Sequence, residues 1–319
     1  MRVITGTYTG NGVDSRSITG VGFQPELVII LRDDGTQNDG KRGCWRSSAH
    51  TGDATSLFLD TLTTDQIQAL ETDGFQVGTH ARVNANGGTY HYIAFRDNGD
   101  NNLAVGTYTG NGVDDRNIVI SPTFQPDYVF VKGESGAAGV WRSSAQSGDN
   151  SDLYQAVAGG ANQIQVLNTD GFQVGTAAEV NTNGTTYFYF AMKIKSGSFN
   201  VGTFTGNAVD DRNITGIGFQ PTFVILDNIT TDTANAWVTT STYTTGESNN
   251  IAEGNIDSID AIQALQSDGF QVGTDAGVNG NTATIAWLAW KDAPSVPSVS
   301  SWHSPPDITF RNIYEVVAY

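Results

Sequence analysis

Apolar residues along this chain gather in short blocks separated by Gly, Asn, Asp and Thr, and little of it reads as helix. Val3 to Tyr8 is short and β-branched. Leu27-Val-Ile-Ile-Leu31, Tyr128-Val-Phe-Val131 and Phe223-Val-Ile-Leu226 are unbroken apolar runs, which fit a strand buried on both faces better than a half-exposed one. Tyr90 to Phe95, Tyr187 to Ala191 and Ile285 to Trp290 add further β-rich strands. Asn11-Gly12 predicts a type I′ hairpin turn, which needs positive φ at both central positions, and Asn207-Ala208 in its place predicts a different turn further on. Asp65-Gln-Ile-Gln-Ala-Leu70 and its equivalents predict one or two helical turns. Short strands between such turns point to an all-β chain made of β-sandwiches.

The pattern occurs three times. Gly6-Thr-Tyr-Thr-Gly-Asn-Gly-Val-Asp-Ser-Arg-Ser-Ile18 returns at Gly106 and again, as Gly-Thr-Phe-Thr-Gly-Asn-Ala, at Gly202, after 100 and then 96 residues. Phe23-Gln-Pro25 recurs at Phe124 and Phe219, and Asp73-Gly-Phe-Gln-Val-Gly-Thr79 at Asp170 and Asp268. Trp45-Arg-Ser-Ser-Ala49 matches Trp141 to Ala145 and, more loosely, Trp237-Val-Thr-Thr-Ser241. A period near 100 residues is too long for a solenoid and has the size of a small domain. We therefore expect three tandem β-sandwich repeats of ~96–100 residues, at 1–98, 99–196 and 197–292, although 319 residues alone suggest about two domains. Residues 293–319 form a Pro/Ser-rich tail whose end, Ile308 to Tyr319, reads as an extended strand. The linkers, Asp97 to Asn102 and Lys195 to Ser198, are short enough to favour a compact pseudo-threefold unit at least as much as a beaded string.

Charge narrows the partners. With 16 Lys+Arg against 33 Asp+Glu the net charge is −17, which speaks against nucleic acid and anionic membranes. Only 15% of residues are charged, against a usual ~25%, so Thr, Asn, Ser, Gln and Gly must cover much of the surface. The single cysteine, Cys44, excludes an internal disulfide framework and a multi-cysteine zinc site. No signal peptide is recognisable at the start and no apolar run is long enough for a membrane span, so we expect a soluble product of the cytoplasm without membrane insertion.

An active site shared by the repeats would leave a triplicated constellation, and none is found. Of His50, His80, His91 and His303, the first three have Gln146, Ala177 and Phe188 as their counterparts in the second repeat. A single functional domain built on His50, His80 and Cys44 is the one catalytic alternative, and Cys44 reads better as a small buried residue, since its equivalents in the other repeats are Val140 and Ala236. No enzyme and no cofactor are expected. Asp14 and Arg16, Asp114 and Arg116, and Asp210 and Arg212 are i, i+2 pairs that one strand face would bring side by side; a structural ion pair is preferred over a ligand-facing one. Trp45, Trp141 and Trp237, with Arg46 and Arg142 beside them, offer a glycan platform, against the preferred reading of rings packed between sheets. Loops at Thr51, Ser147 and Thr245 carry oxygen donors for Ca²⁺ without the spacing of a calcium loop.

With these blocks assembled, the chain resembles the repeat modules of bacteriophage tail-associated structural proteins. In that family a Tyr-Thr-Gly-Asn-Gly hairpin precedes a Phe-x-Pro-Asp-x-Val strand, and a Val-Asn-x-x-Gly-x-Thr-Tyr block leads to the last aromatic strand. Here these are Tyr8 to Gly12, Phe23 to Val28 and Val83 to Tyr90, and the match runs over residues ~1–292. The resemblance implies a concanavalin-like or related sandwich and a place in the virion, and supplies no catalytic residues. It implies a tail, fibre, baseplate or capsid-surface component, with other virion proteins or copies of itself, such as a trimer, as partners. The alternative is a carbohydrate-binding module that recognises a host-surface glycan.

Overall fold

The computed structural model of the protein describes residues 1–33, 43–154, 159–230, 236–251 and 258–293. The tail strand expected at Ile308 to Tyr319 lies outside the described residues. The fold is all-β, and each repeat is a sandwich of a five-stranded and a three-stranded antiparallel sheet. In the first repeat, β1 (Arg2–Thr9), β3 (Leu27–Asp33), β4 (Cys44–Ser47), β5 (Ser56–Leu57) and β8 (Thr89–Arg96) form the large sheet in the order β1-β8-β3-β4-β5. The small sheet holds β2 (Arg16–Thr19), β6 (Ile67–Glu71) and β7 (Gly74–Val77) in the order β2-β7-β6, and one helical turn, α1 (Ala81–Asn84), precedes β8.

The second repeat copies this with β9 (Leu103–Thr109), β10 (Arg116–Val119), β11 (Tyr128–Gly133), β12 (Val140–Ser143), β13 (Asp152–Leu153), β14 (Ile164–Asn168), β15 (Gly171–Val174), α2 (Ala178–Asn181) and β16 (Thr186–Met192). The third does so with β17 (Phe199–Thr205), β18 (Arg212–Thr215), β19 (Phe223–Asn228), β20 (Trp237–Thr240), β21 (Asn249–Asn250), β22 (Ile262–Gln266), β23 (Gly269–Val272), α3 (Ala276–Asn279) and β24 (Thr284–Trp290).

The unbroken apolar runs explain how the sandwiches assemble. Val28 and Ile30, on one face of β3, join a core private to the first repeat. Leu27, Ile29 and Leu31, on the other face, join a cluster that also takes Tyr128 and Phe130 of β11 and Phe223 and Ile225 of β19. The second and third repeats have private cores of their own, built on Val129 and Val131 and on Val224 and Leu226. Each large sheet is thus covered twice, by its own small sheet and by the other two large sheets, which is why these strands need no polar face. The three sandwiches enclose one shared core in a pseudo-threefold ring.

Backbone bonds join the first repeat to each of its two neighbours, and the Trp141 indole N–H, donating to Asp227, joins the second to the third. Gly139 N–H donates to Phe58 O (2.9 Å) and Gly43 N–H to Ile251 O (3.1 Å), joining the second repeat to the first and the first to the third in equivalent ways. After the third repeat, Ala293 N–H donates to Val3 O (2.8 Å), and Asp292 accepts from the N–H and hydroxyl of Thr5.

Three local expectations are corrected. Asn11-Gly12 does not close a hairpin, because β1 pairs with β8 and β2 with β7; the turn carries the chain from one sheet to the other. Nor does the third copy use another conformation: Ala208 has φ +53° where Gly12 and Gly112 have +68° and +70°. Asp65 to Leu70 contributes to β6 and not to a helix, because Ile67 and Leu70 pair with Val77 and Phe75 across a bulge. Gly74 shows why Asp-Gly-Phe recurs. With φ +136°, its Cα backs onto the carbonyl of Ile18, where any Cβ would collide, and Gly171 and Gly269 repeat the arrangement.

Candidate functional site

Three equivalent surface clefts open between the Phe-Gln-Pro bend, the end of the short strand that follows, and the edge of the small sheet. Their volumes are about 390, 470 and 350 Å³ in the first, second and third repeats. Gln24, Gln125 and Gln220 brace the bend by donating to the carbonyls of Leu70, Leu167 and Leu265 at 3.1, 3.0 and 3.5 Å. Next to each bend the backbone N–H of Ser48, Ser144 or Ser241 donates to the carbonyl of Glu26, Asp127 or Thr222, and brings two hydroxyl residues to the wall. Arg96, Lys193 and Lys291, at or just after the end of each last strand, stand at the rim. A cation at that place in every repeat was visible in the sequence, but a charged strand end is too common to single out alone.

The tryptophans do not form a platform. Trp45 and Trp141 are fully buried in the shared core, where Trp45 meets Phe130 and Phe190 edge-on and Trp141 stacks on Tyr154. Trp237 is not their equivalent. Ile29 pairs with Trp45 and Phe130 with Trp141, but Ile225 pairs with Val238, so Trp237 stands one residue earlier, opposite Leu226. A one-residue offset on a strand turns a side chain to the other face. Trp237 accordingly packs on the third repeat's private core and donates its indole N–H to Asp275 at 3.1 Å. The structural equivalents of Cys44, buried in its private core, are therefore Val140 and Trp237, and Ala236 matches Gly43 and Gly139.

Arg46 and Arg142 clasp loops. The Arg46 guanidinium donates to the carbonyls of Ala54 and Gly52, and Arg142 to those of Asn150 and Gly148. In the third repeat the Thr239 hydroxyl does this with Glu247 O (2.8 Å). These are the loops whose oxygens the sequence offered to Ca²⁺; in the first two an internal cation takes the carbonyls. Among the described residues no three His, Cys, Asp or Glu side chains gather as a metal site would require.

The Asp-x-Arg pairs are not ion pairs. Arg16 instead lies over the Tyr8 ring (5.5 Å) and donates to Thr9 O (2.6 Å) and Asn84 Oδ1 (3.3 Å). Arg116 lies over Tyr108 and Arg212 over Phe204, with the same bonds to Thr109 and Asn181 and to Thr205 and Asn279. Asp14 precedes β2 and turns away, accepting from Ser15 N–H and from the amide of Gln68, both at 2.8 Å. The i, i+2 geometry fails because only the arginine is on the strand.

The histidines are also dispersed. His50 lies at the seam with the second repeat, stacked on Phe188 at 4.1 Å; its Nδ1 accepts from Ser47 N–H and its Nε2 is 2.8 Å from Ser56 Oγ. Burial, and then the charge of Arg46, lower its pKa from 6.5 to about 3. His80 caps α1 by accepting from Arg82 N–H. His91 meets Asp33 (3.1 Å) and, across the seam with the third repeat, Thr242 (2.7 Å). Cys44 lies apart from them in its private core, with its pKa pushed up to about 12 by burial. His303 lies outside the described residues.

Two charged groups inside the ring were missed in the sequence because they interrupt otherwise apolar strands. Lys132 and Asp227 occupy the place that Leu31 has in the first repeat. Lys132 donates to Gly133 O and Ser135 O, and burial lowers its pKa to about 8. Asp227 accepts the Trp141 indole N–H (3.0 Å) across the seam, and burial raises its pKa well above the usual carboxyl value. The Trp45 indole nitrogen faces the other situation and is buried without a partner.

No helix among the described residues is long and apolar enough to cross a membrane. A family model, that of a domain of unknown function (DUF7483), matches residues 3–105 and 194–303, which span the first repeat with the start of the second, and the third with part of the tail. No curated protein and no solved structure matches the chain.

Proposed function

From the premise that the chain belongs to the DUF7483 family, we propose that it is a non-catalytic structural component of a bacteriophage particle, a tail, fibre, baseplate or capsid-surface protein. The observation that carries this reading is the single core shared by three like sandwiches. One chain here has the shape that three separate subunits would otherwise have to assemble, which suits a near-threefold position on a larger particle. The order of Tyr-Thr-Gly-Asn-Gly, Phe-Gln-Pro and Asp-Gly-Phe blocks, resembling tail-associated repeat modules, supports the same reading. Its partners are other virion proteins, and a homo-oligomer would add to a unit that is already a pseudo-trimer. The aromatic form of the carbohydrate reading has lost its support, since Trp45 and Trp141 are buried and Trp237 faces elsewhere.

The test is to purify phage particles from the source culture, identify their proteins by mass spectrometry and label the chain with immunogold. The chain should be present in fixed ratio to the major particle proteins and at a fixed place. A chain confined to the soluble fraction, with unlabelled particles, refutes the proposal.

A further inference from the structure

We propose that the three clefts are equivalent binding sites for an acidic saccharide, the rim cation taking a sugar carboxylate and the cleft wall taking hydroxyls. This does not rest on the particle reading, and each proposal can fail without the other.

The first observation is charge. In a chain with 33 acidic and 16 basic residues, Arg96, Lys193 and Lys291 are exposed, and none has a carboxylate within 4.0 Å among the described residues. The acidic groups lining the first two clefts each have one oxygen engaged by the backbone: Glu26 accepts from Asp97 N–H and Asp127 from Ile194 N–H, both at 2.8 Å, and the third cleft has Thr222 at that place. Arg46 and Arg142 are held by loop carbonyls and have no basic counterpart at Thr239. The rim residue is therefore the cation that all three clefts share.

The second observation is an acceptor without a donor. Gln165 lines the second cleft and is 7% exposed; its amide nitrogen donates to Asp114 (3.1 Å) while its Oε1 is buried with no partner. Gln263 repeats this in the third cleft, donating to Asp210 (2.8 Å). A buried acceptor left unpaired is unfavourable, and a turn of either amide toward the cleft it lines would let a ligand hydroxyl satisfy it.

The ligand class follows from the wall. Exposed Ser144 or Ser241 supplies a further hydroxyl, while the Pro126 and Leu167 or Pro221 and Leu265 side chains supply an apolar patch for the C–H face of a ring. Volumes of about 350–470 Å³ lie in the lower part of the range for small-molecule sites. One rim cation per cleft suits a singly charged carboxylate, whereas a phosphate site draws several converging donors.

Calorimetric titration of the full chain with trigalacturonic acid and with 3′-sialyllactose tests this, with galactotriose and inorganic phosphate as controls. At least one acidic sugar should bind at up to three sites per chain. Lys193→Gln should remove one site, and the Arg96→Gln, Lys193→Gln, Lys291→Gln triple variant should bind ~10-fold more weakly or not at all. These residues are exposed, so unchanged melting temperatures should confirm intact folds; Gln165→Leu provides a second, independent loss at one cleft. Absence of binding at ~10 mM of either acidic sugar overturns the proposal. So does binding that the triple variant retains in full, equal binding of galactotriose, or displacement by phosphate as effective as by the sugar acid.

Discussion

Replacing His50 with glutamine tests whether the seam between the first and second repeats holds a ring that must stay neutral. His50 is 5% exposed, stacked on Phe188, and flanked by Arg46. Its pKa is near 6.5 when unfolded and about 3 when folded. Between those values the unfolded chain binds more protons, so stability is fully present above pH 6.5 and is lost as pH falls toward 3. At pH 5, 1.5 units below the unfolded value, the loss is about 2 kcal/mol, rising toward about 5 kcal/mol near pH 3. Glutamine is the right replacement because Gln146, at the same position in the second repeat, already accepts from Ser143 N–H at 2.8 Å. The variant gives up the ring stack, about 0.5–1.5 kcal/mol, at every pH. Urea unfolding at pH 7 and pH 5, followed by tryptophan fluorescence, separates the two effects. The wild type should lose about 2 kcal/mol more than the variant on going from pH 7 to 5. Declines that agree within about 0.5 kcal/mol would mean the ring protonates in place, and the reasoning fails.

Asp227 predicts the opposite slope. Its folded pKa is raised, so its contribution is favourable below the ordinary carboxyl value near ~3.9 and is lost as pH rises toward the folded value. Asp227→Asn keeps an oxygen for the Trp141 indole and should raise the melting temperature at pH 7 but not at pH 3.5; equal gains at both would refute the burial argument. Ala208→Gly should stabilise by about 0.5–1 kcal/mol in denaturant melts, because φ +53° strains alanine; no gain would show that the turn relaxes. Asp14→Asn should change stability by less than ~0.5 kcal/mol, while Arg16→Ala should cost about 1–3 kcal/mol through its ring and carbonyl contacts. Equal losses in the two melts would restore the ion pair.

The readings that held depend on local pattern. The strands at Val3, Leu27 and Tyr90 and their copies are found in β1, β3 and β8 and their equivalents, and Cys44 is a buried core residue, as its counterpart Val140 suggested. Those that failed depend on which strands pair. Asn11-Gly12 has hairpin composition, yet β1 and β2 belong to different sheets. Trp237 looked like Trp45 because a tryptophan stands at nearly the same place in each repeat, and only the pairing of Ile225 with Val238 shows the offset. The clefts were invisible for a related reason. Each combines a bend, a strand end, a sheet edge and a terminal cation that lie far apart along the chain.

By itself, the order of residues determined the all-β class, the triplication and the two-sided burial of the central strands, since alternation and its absence are properties of neighbours on one strand. It did not determine what covers the second face. That was decided by the tertiary structure, in which three large sheets cover each other, because apolar surface has no preferred partner until whole sheets with matching shape come together.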